Sequence, residues 1–156
     1  MDVDALLREL DATGTSEVRG GGWWAVWPDL DVHAMAVAML AHEVRLVTIT
    51  ALPHPDDGLR LIYHWDVGPA LLNLETTVRA GHVPTISDVL PAADWAEREI
   101  RDYYGTTFDG RATTPPLMLR DDDVPGLFSR TSDLGTEIDP AVTSRANVAA
   151  QEGEPR

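Results

Sequence analysis

The spacing of hydrophobic positions changes several times along the chain, and each change marks an element. Val3, Leu6, Leu7 and Leu10 share one helical face and predict a short amphipathic helix from Asp2 to Leu10. Thr13-Gly14-Thr15-Ser16 breaks that period, and Gly20-Gly21-Gly22 reads as a hinge. Trp23 to Trp27 has the aromatic and β-branched make-up of a strand, which Pro28 ends. Asp29 or Asp31 is placed to cap a second helix reaching about His42, with Leu30, Ala34, Val37, Ala38 and Leu40 as its apolar positions.

Three strand patterns follow. Val44 to Leu52 is rich in β-branched residues, and the Pro53-to-Gly58 turn sends Leu59 to Val67 back as a hairpin partner. Leu59, Leu61, Tyr63 and Trp65 alternate with Arg60, His64 and Asp66, Ile62 being the exception, which predicts a sheet covered mainly on one face. Ala70 to Arg79 reads as the third strand, and Gly81-His82-Val83-Pro84 as a loop. A helix then spans Asp94 to Tyr104. Asp94 sits at the N-cap with Glu97 completing a capping box, and Gly105 closes the helix in the left-handed region. Beyond Gly110 no period persists. Arg111 to Phe128 reads as an extended arm and Ser129 to Arg156 as a disordered acidic tail. The expected architecture is a two-layer α+β domain with a mixed sheet over residues 1–110, followed by arm and tail over 111–156.

Charge narrows the possible partners. The 26 acidic and 12 basic residues leave a net charge of −14, which repels nucleic acid and anionic lipid and either suits a basic protein surface or only keeps the chain soluble. Every basic residue is Arg, so a Lys Schiff base and a phosphate-loop Lys are excluded. There is no Cys, hence no thiolate nucleophile, disulfide or Cys-ligated iron–sulfur cluster. The opening Met1-Asp2-Val3-Asp4 lacks the pattern of a secretory leader, and no stretch approaches the ~20 apolar residues of a membrane span.

Candidate chemistry concentrates in DWAEREIRDYYG, Asp94 to Gly105. Glu97 and Glu99 diverge by about 200° around a helix and cannot flank one glycosidic bond. Trp95, Arg98, Glu99 and Asp102 share one face, while Ala96, Ile100, Tyr103 and Tyr104 form a more apolar one. Glu97–Arg101 and Arg98–Asp102 are spaced as i,i+4 ion pairs. Each is worth only ~0.3–0.5 kcal/mol if solvated, and more if buried against a partner as charge-assisted bonds. Trp95 is read as filling an aromatic-sized place in the core, so that Trp95→Ala would open a hole and destabilise the fold. His33, His42, His54, His64 and His82 form no HxH or HExxH pattern. His64 with Asp66 is a conceivable start of a metal site, although outward strand positions are more often simply solvated. Trp23, Trp24, Trp27 and Trp65 read as core or sheet contacts.

The run PTISDVLPAADWAEREIRDYYGTTFDG, Pro84 to Gly110, resembles the signature of the respiratory NADH dehydrogenase 30-kDa subunit family. That family comprises the C subunit of NADH–quinone oxidoreductase (complex I) and the small subunits of related membrane-bound [NiFe]-hydrogenases. Pro84, Ser87, Trp95, Glu97, Arg98, Glu99, Asp102, Tyr104, Gly105, Phe108 and Gly110 fall in register, and the wider resemblance spans about Asp2 to Gly110. It departs at Thr106, where many members have Ile. It departs again from Arg111, where Arg-Ala-Thr-Thr-Pro-Pro replaces a His-Pro-Asp-Leu-Arg-Arg-like run. The arm is as similar to hydrogenase-type members as to complex I, so the parent complex stays open.

The resemblance implies a non-catalytic accessory subunit with no cofactor of its own. Iron–sulfur clusters and a quinone or NiFe site are expected in its partners, the large quinone- or NiFe-site subunit and the iron–sulfur subunits. It would lie peripherally on the cytoplasmic side of the membrane, held there through the complex. The segment from Trp95 to Gly110 is then an interface with another subunit. The competing class is a free-standing acidic adaptor with no redox role.

Overall fold

A computed structural model describes residues 3–10, 15–54 and 58–129. The elements in chain order are α1 (Val3–Glu9), β1 (Thr15–Arg19), β2 (Gly22–Val26), α2 (Val32–Ala41), β3 (Arg45–Pro53), β4 (Leu59–Asp66), β5 (Leu71–Val78), β6 (His82–Pro84), α3 (Asp94–Tyr104) and β7 (Thr107–Asp109). A single 3-10 turn, Pro91–Ala93, leads into α3. The five long strands form one sheet in the order β1-β2-β5-β4-β3. Neighbours β2 and β5 run parallel and the remaining pairs antiparallel, so the sheet is mixed. The domain is α+β, as the element order implies.

The alternation in β4 sets the layers. Leu61, Tyr63 and Trp65 are fully buried, and they meet Leu72 and Leu74 of β5 and the α2 residues Met35 and Met39 in one core. Burial of each such side chain contributes roughly 1.5–3 kcal/mol against the entropy of ordering it. Ile62, the exception to the alternation, is buried but lies outside this core, on the other side of the sheet.

Three expectations change and one is narrowed. The segment read as a break and a hinge is a hairpin: β1 pairs β2, and Gly20 and Gly21 make the turn at φ 58° and 79°. β1 escapes detection because it is an exposed edge strand with no buried face to create an alternation. The loop Gly81–Pro84 contains β6, which pairs in parallel with β7. In α2, Asp31 is the cap, its carboxylate accepting from the Ala34 amide. The buried face of α2 is Val32, Met35, Ala36 and Met39, leaving Val37 and Leu40 in solvent. This helix is apolar nearly all round, so periodicity alone has no face to choose. The expected tail lies, apart from Ser129, outside the described residues.

Candidate functional site

Helix α3 begins differently from the capping-box expectation. The chain enters it from the 3-10 turn, and Asp94 already has helical angles, φ −50° and ψ −48°. Ala93 is the N-cap and gives no side-chain bond. Asp94 and Glu97 are therefore free for other partners, and both find them beyond the helix. The C-terminal expectation holds: Gly105 sits at φ 72° and donates to the Arg101 carbonyl.

Glu97 is fully buried. Its Oε1 accepts from the Ile86 amide at 2.7 Å, and its Oε2 from the Thr85 hydroxyl at 2.6 Å and Arg111 at 2.9 Å. The Arg111 side chain is itself only 8% exposed and also bonds Asp94. A buried carboxylate is tolerable when paired and hydrogen-bonded, and Glu97 has three donors. The result ties the start of α3 to the turn after β6 and to the chain leaving β7.

Asp102, also fully buried, acts in the same way about one and a half turns later. Its Oδ2 accepts from the amides of Leu117 and Met118 at 2.6 and 2.8 Å. Its Oδ1 accepts from Arg101 at 2.9 and 3.1 Å. Desolvation pushes the Asp102 carboxyl up. The Met118 amide, Arg101 and the Leu117 amide together outweigh it and hold the group below the ordinary carboxylate range. The Tyr63 phenol, in the core facing Glu97, is pushed up first by burial and then by the Glu97 charge.

The two arginines of the helix complete the clasp. Arg101 donates to the carbonyls of Thr114 and Pro115, each at 3.0 Å, and Arg98 to Pro115 and Pro116 at 3.3 and 3.4 Å. The arm is thus bonded to α3 by its amides and its carbonyls. The i,i+4 pairs expected along the helix are replaced: Arg98 faces Asp94, Arg101 faces its neighbour Asp102, and Glu97 takes Arg111. Further along, the amides of Gly126 and Phe128 bond the Asp102 and Tyr103 carbonyls, and Phe128 stacks on Tyr103 with centroids 4.7 Å apart.

The remaining motif positions divide by environment. Phe108 is buried, and Tyr104 packs on the core and donates its hydroxyl to the Ala51 carbonyl. Gly110 turns the chain at φ 86° toward Arg111. Glu99 is exposed, and Trp95 is 69% exposed. Trp95 therefore fills no hole in this chain, which corrects the core half of its reading. Sequence reasoning misses Arg111, Thr85 and the arm amides. Arg111 is the residue at which the motif stops matching, yet it stands at the centre of the clasp. No sequence signal points to them: Glu97 has Arg101 at i+4, and only the fold pairs it with Arg111 instead.

His64 and Asp66 do not converge. Both His64 ring nitrogens face Thr50 and Asn73, and Asp66 bonds Arg45. Among the described residues no three His, Asp or Glu side chains are grouped to hold a metal, and no helix is long and apolar enough to cross a membrane.

Residues 28–131 match the family described as respiratory-chain NADH dehydrogenase, 30 Kd subunit, 104 of the 156 residues. The chain belongs to that family. The match starts later than the expected Asp2 and runs past Gly110 through the whole clasped arm. Among curated proteins, the chain is 32% identical over 86 residues to the C/D subunit of NADH-quinone oxidoreductase from Phocaeicola vulgatus, covering 52% of this chain and 17% of the relative. It is 40% identical over 53 residues to the C subunit of NADH-quinone oxidoreductase from Salinispora tropica, covering 33% and 22%. The matches thus span less than a quarter of either relative. Two solved structures share the fold. A trypsin-resistant fragment of Nqo5 superposes with TM-score 0.60 at 23% identity, covering 73% of this chain and all of the fragment. A chain of the membrane-bound sulfane sulfur reductase, an archaeal respiratory membrane complex, superposes with TM-score 0.66 at 20% identity, covering 88% and 91%.

Proposed function

We propose that this family member is a non-catalytic, cofactor-free subunit of a membrane-associated NADH–quinone oxidoreductase or of a related membrane-bound hydrogenase. Its task is to hold the peripheral electron-transfer arm in register. The observation that carries the reading is the internal use of the motif. Glu97 and Asp102, the buried carboxylates best placed for acid–base work, are saturated with donors from this same chain. A general acid or base needs a proton path to a substrate atom, and these groups have none to spare. Their bonds instead make arm and helix one rigid surface, with Trp95 and Glu99 standing out from it. An exposed Trp beside a rigid, polar rim is the composition of an interface anchor. The names of the curated relatives point the same way.

On this reading the neighbours are the large quinone- or NiFe-site subunit and iron–sulfur subunits, which hold the redox centres. The chain reaches the membrane only through them, on its cytoplasmic side. Purification of the tagged full-length chain from its own cells tests this. The expected result is copurification of a Cys-rich, cluster-bearing subunit with its visible and paramagnetic signals. Nickel in the same fraction assigns the hydrogenase branch, and flavin with quinone reduction assigns complex I. A stable solitary monomer carrying no other subunit overturns the proposal and leaves the acidic adaptor.

A further inference from the structure

On the α3 side the large sheet ends at β3, and the outer edge of that strand is open. Thr48 to Ala51 form one wall of a cavity of about 330 Å³, with Ile100, Tyr103 and Tyr104 of α3 across it. Side chains of consecutive strand residues point to opposite faces, so four in a row present the backbone edge. Hydrogen-bond alternation fixes what that edge offers. The His54 amide bonds the Gly58 carbonyl across the hairpin, so positions 52 and 50 also bond β4, while 49, 51 and 53 face away. Two observations agree. Tyr104 donates to the Ala51 carbonyl from the α3 side, and position 53 is Pro, which has no amide. The Ile49 amide and carbonyl and the Ala51 amide therefore point into the cavity, with no strand beside them among the described residues.

A second cavity, of about 370 Å³, continues past Pro53 at the hairpin end of β3, and Tyr104 and Phe128 line both. Among the described residues its charge-bearing side chains are Arg79 and His54, with no carboxylate, in a chain of net charge −14. The first cavity has one charged side chain, Glu99. The described residues end where the two cavities meet, the Ser129 hydroxyl donating to the Tyr104 carbonyl. The sequence goes on with Arg130-Thr131-Ser132 and then Asp133-Leu134-Gly135-Thr136-Glu137-Ile138-Asp139. Leu134, Thr136 and Ile138 alternate there with the acids and Gly135, the period of a strand with one apolar face, and Pro140 stops it.

We propose that Asp133 to Asp139 adds to the open edge of β3 as a sixth strand, parallel to it. Its backbone meets the Ile49 and Ala51 groups. Its apolar side chains turn toward Ile100 and Tyr104. Phe128 is already at the edge, and Arg130 to Ser132 supply roughly 10 Å of chain with which to enter it. Running toward Pro53, the strand leaves Arg130 by Glu99 and brings Glu137 and Asp139 to Arg79 and His54. An edge closed in this way no longer offers a template to other strands. The disorder expected of the tail then begins only at Pro140.

Amide hydrogen exchange in the full-length chain, followed by NMR, tests this. The Ile49 and Ala51 amides are expected to exchange at least about tenfold faster in Ile138→Pro than in the wild type, because Pro removes a donor and breaks the added strand. The Leu61 and Tyr63 amides, which bond β5, are expected to stay unchanged and so report an intact domain. Arg79→Glu is expected to speed exchange at Ile49 and Ala51 too, and Glu137→Arg with Asp139→Arg added to it to restore the slow rate. Equal exchange in wild type and Ile138→Pro overturns the proposal. So does protection that grows with protein concentration, which assigns the edge to a second copy, or protection that appears only with another subunit bound. Indifference to Arg79→Glu overturns the placement of the acids.

Discussion

The two sides of this molecule use the same side chains, Arg and carboxylate, for different ends. At α3, Glu97 and Asp102 are fully buried and each accepts several hydrogen bonds. On the sheet face opposite the core, Arg45 and Arg19 are 72 and 63% exposed and each meets one acid. Solvent screens the second kind and competes for it, so those pairs adjust local charge and contribute little to stability. The buried kind fixes geometry, because losing one partner leaves a charge with no water to replace it. Ion-pair counting would treat the two sides alike; burial separates them.

Arg111→Ala breaks that contrast most severely. It leaves Glu97 buried without its cation, and a loss of about 3–5 kcal/mol is expected in denaturant unfolding. Glu97→Gln placed on top of Arg111→Ala should recover some of the loss, because a neutral amide no longer needs the cation. A loss near zero for Arg111→Ala would mean that water reaches Glu97 and that the clasp is superficial.

Asp102→Asn comes next, at about 2–3 kcal/mol, since the arm amides and Arg101 lose a charged acceptor. The pH dependence has a definite sign. The folded carboxyl lies below its unfolded value of about 3.9, so its stabilisation is complete above that value and lost as pH falls through the lower, folded one. Wild-type stability should therefore fall with acid in that window more steeply than that of Asp102→Asn. Urea melts across the acidic range compare the two slopes, and equal slopes would remove Asp102 from the clasp.

Trp95→Ala should change stability by no more than about 0.5 kcal/mol, because the ring is mostly in solvent. Copurification of the partner subunit should drop instead. A large fall in melting temperature with normal copurification would return Trp95 to the core. The smallest effect belongs to Arg45→Ala on the sheet. No shift in melting temperature is expected although Asp66 loses its bond to Arg45 and keeps the one from the Gly68 amide, and a clear shift would show that the two sides differ less than their burial implies.

The sequence carried the α+β class, four of the five strands of the large sheet almost to the residue, α3 with its Gly105 stop, and the family through the motif around Trp95 to Gly110. Those features are local. Strand alternation, a left-handed terminating glycine and a dense motif each reside in contiguous residues. It did not carry β1 or β6, whose few, mostly exposed residues create no pattern, nor the buried face of α2, which has apolar residues on every side.

Only the tertiary structure decided what the motif's charges do. Glu97 reads locally as half of a capping box and as an i,i+4 partner of Arg101. Folding brings Thr85, Ile86 and Arg111 to it from separate segments, and Asp102 receives amides fifteen and sixteen residues away. Helical spacing can state which positions are neighbours on one element. Which of them lose water depends on what packs over the element, and here that cover is the arm that follows Arg111.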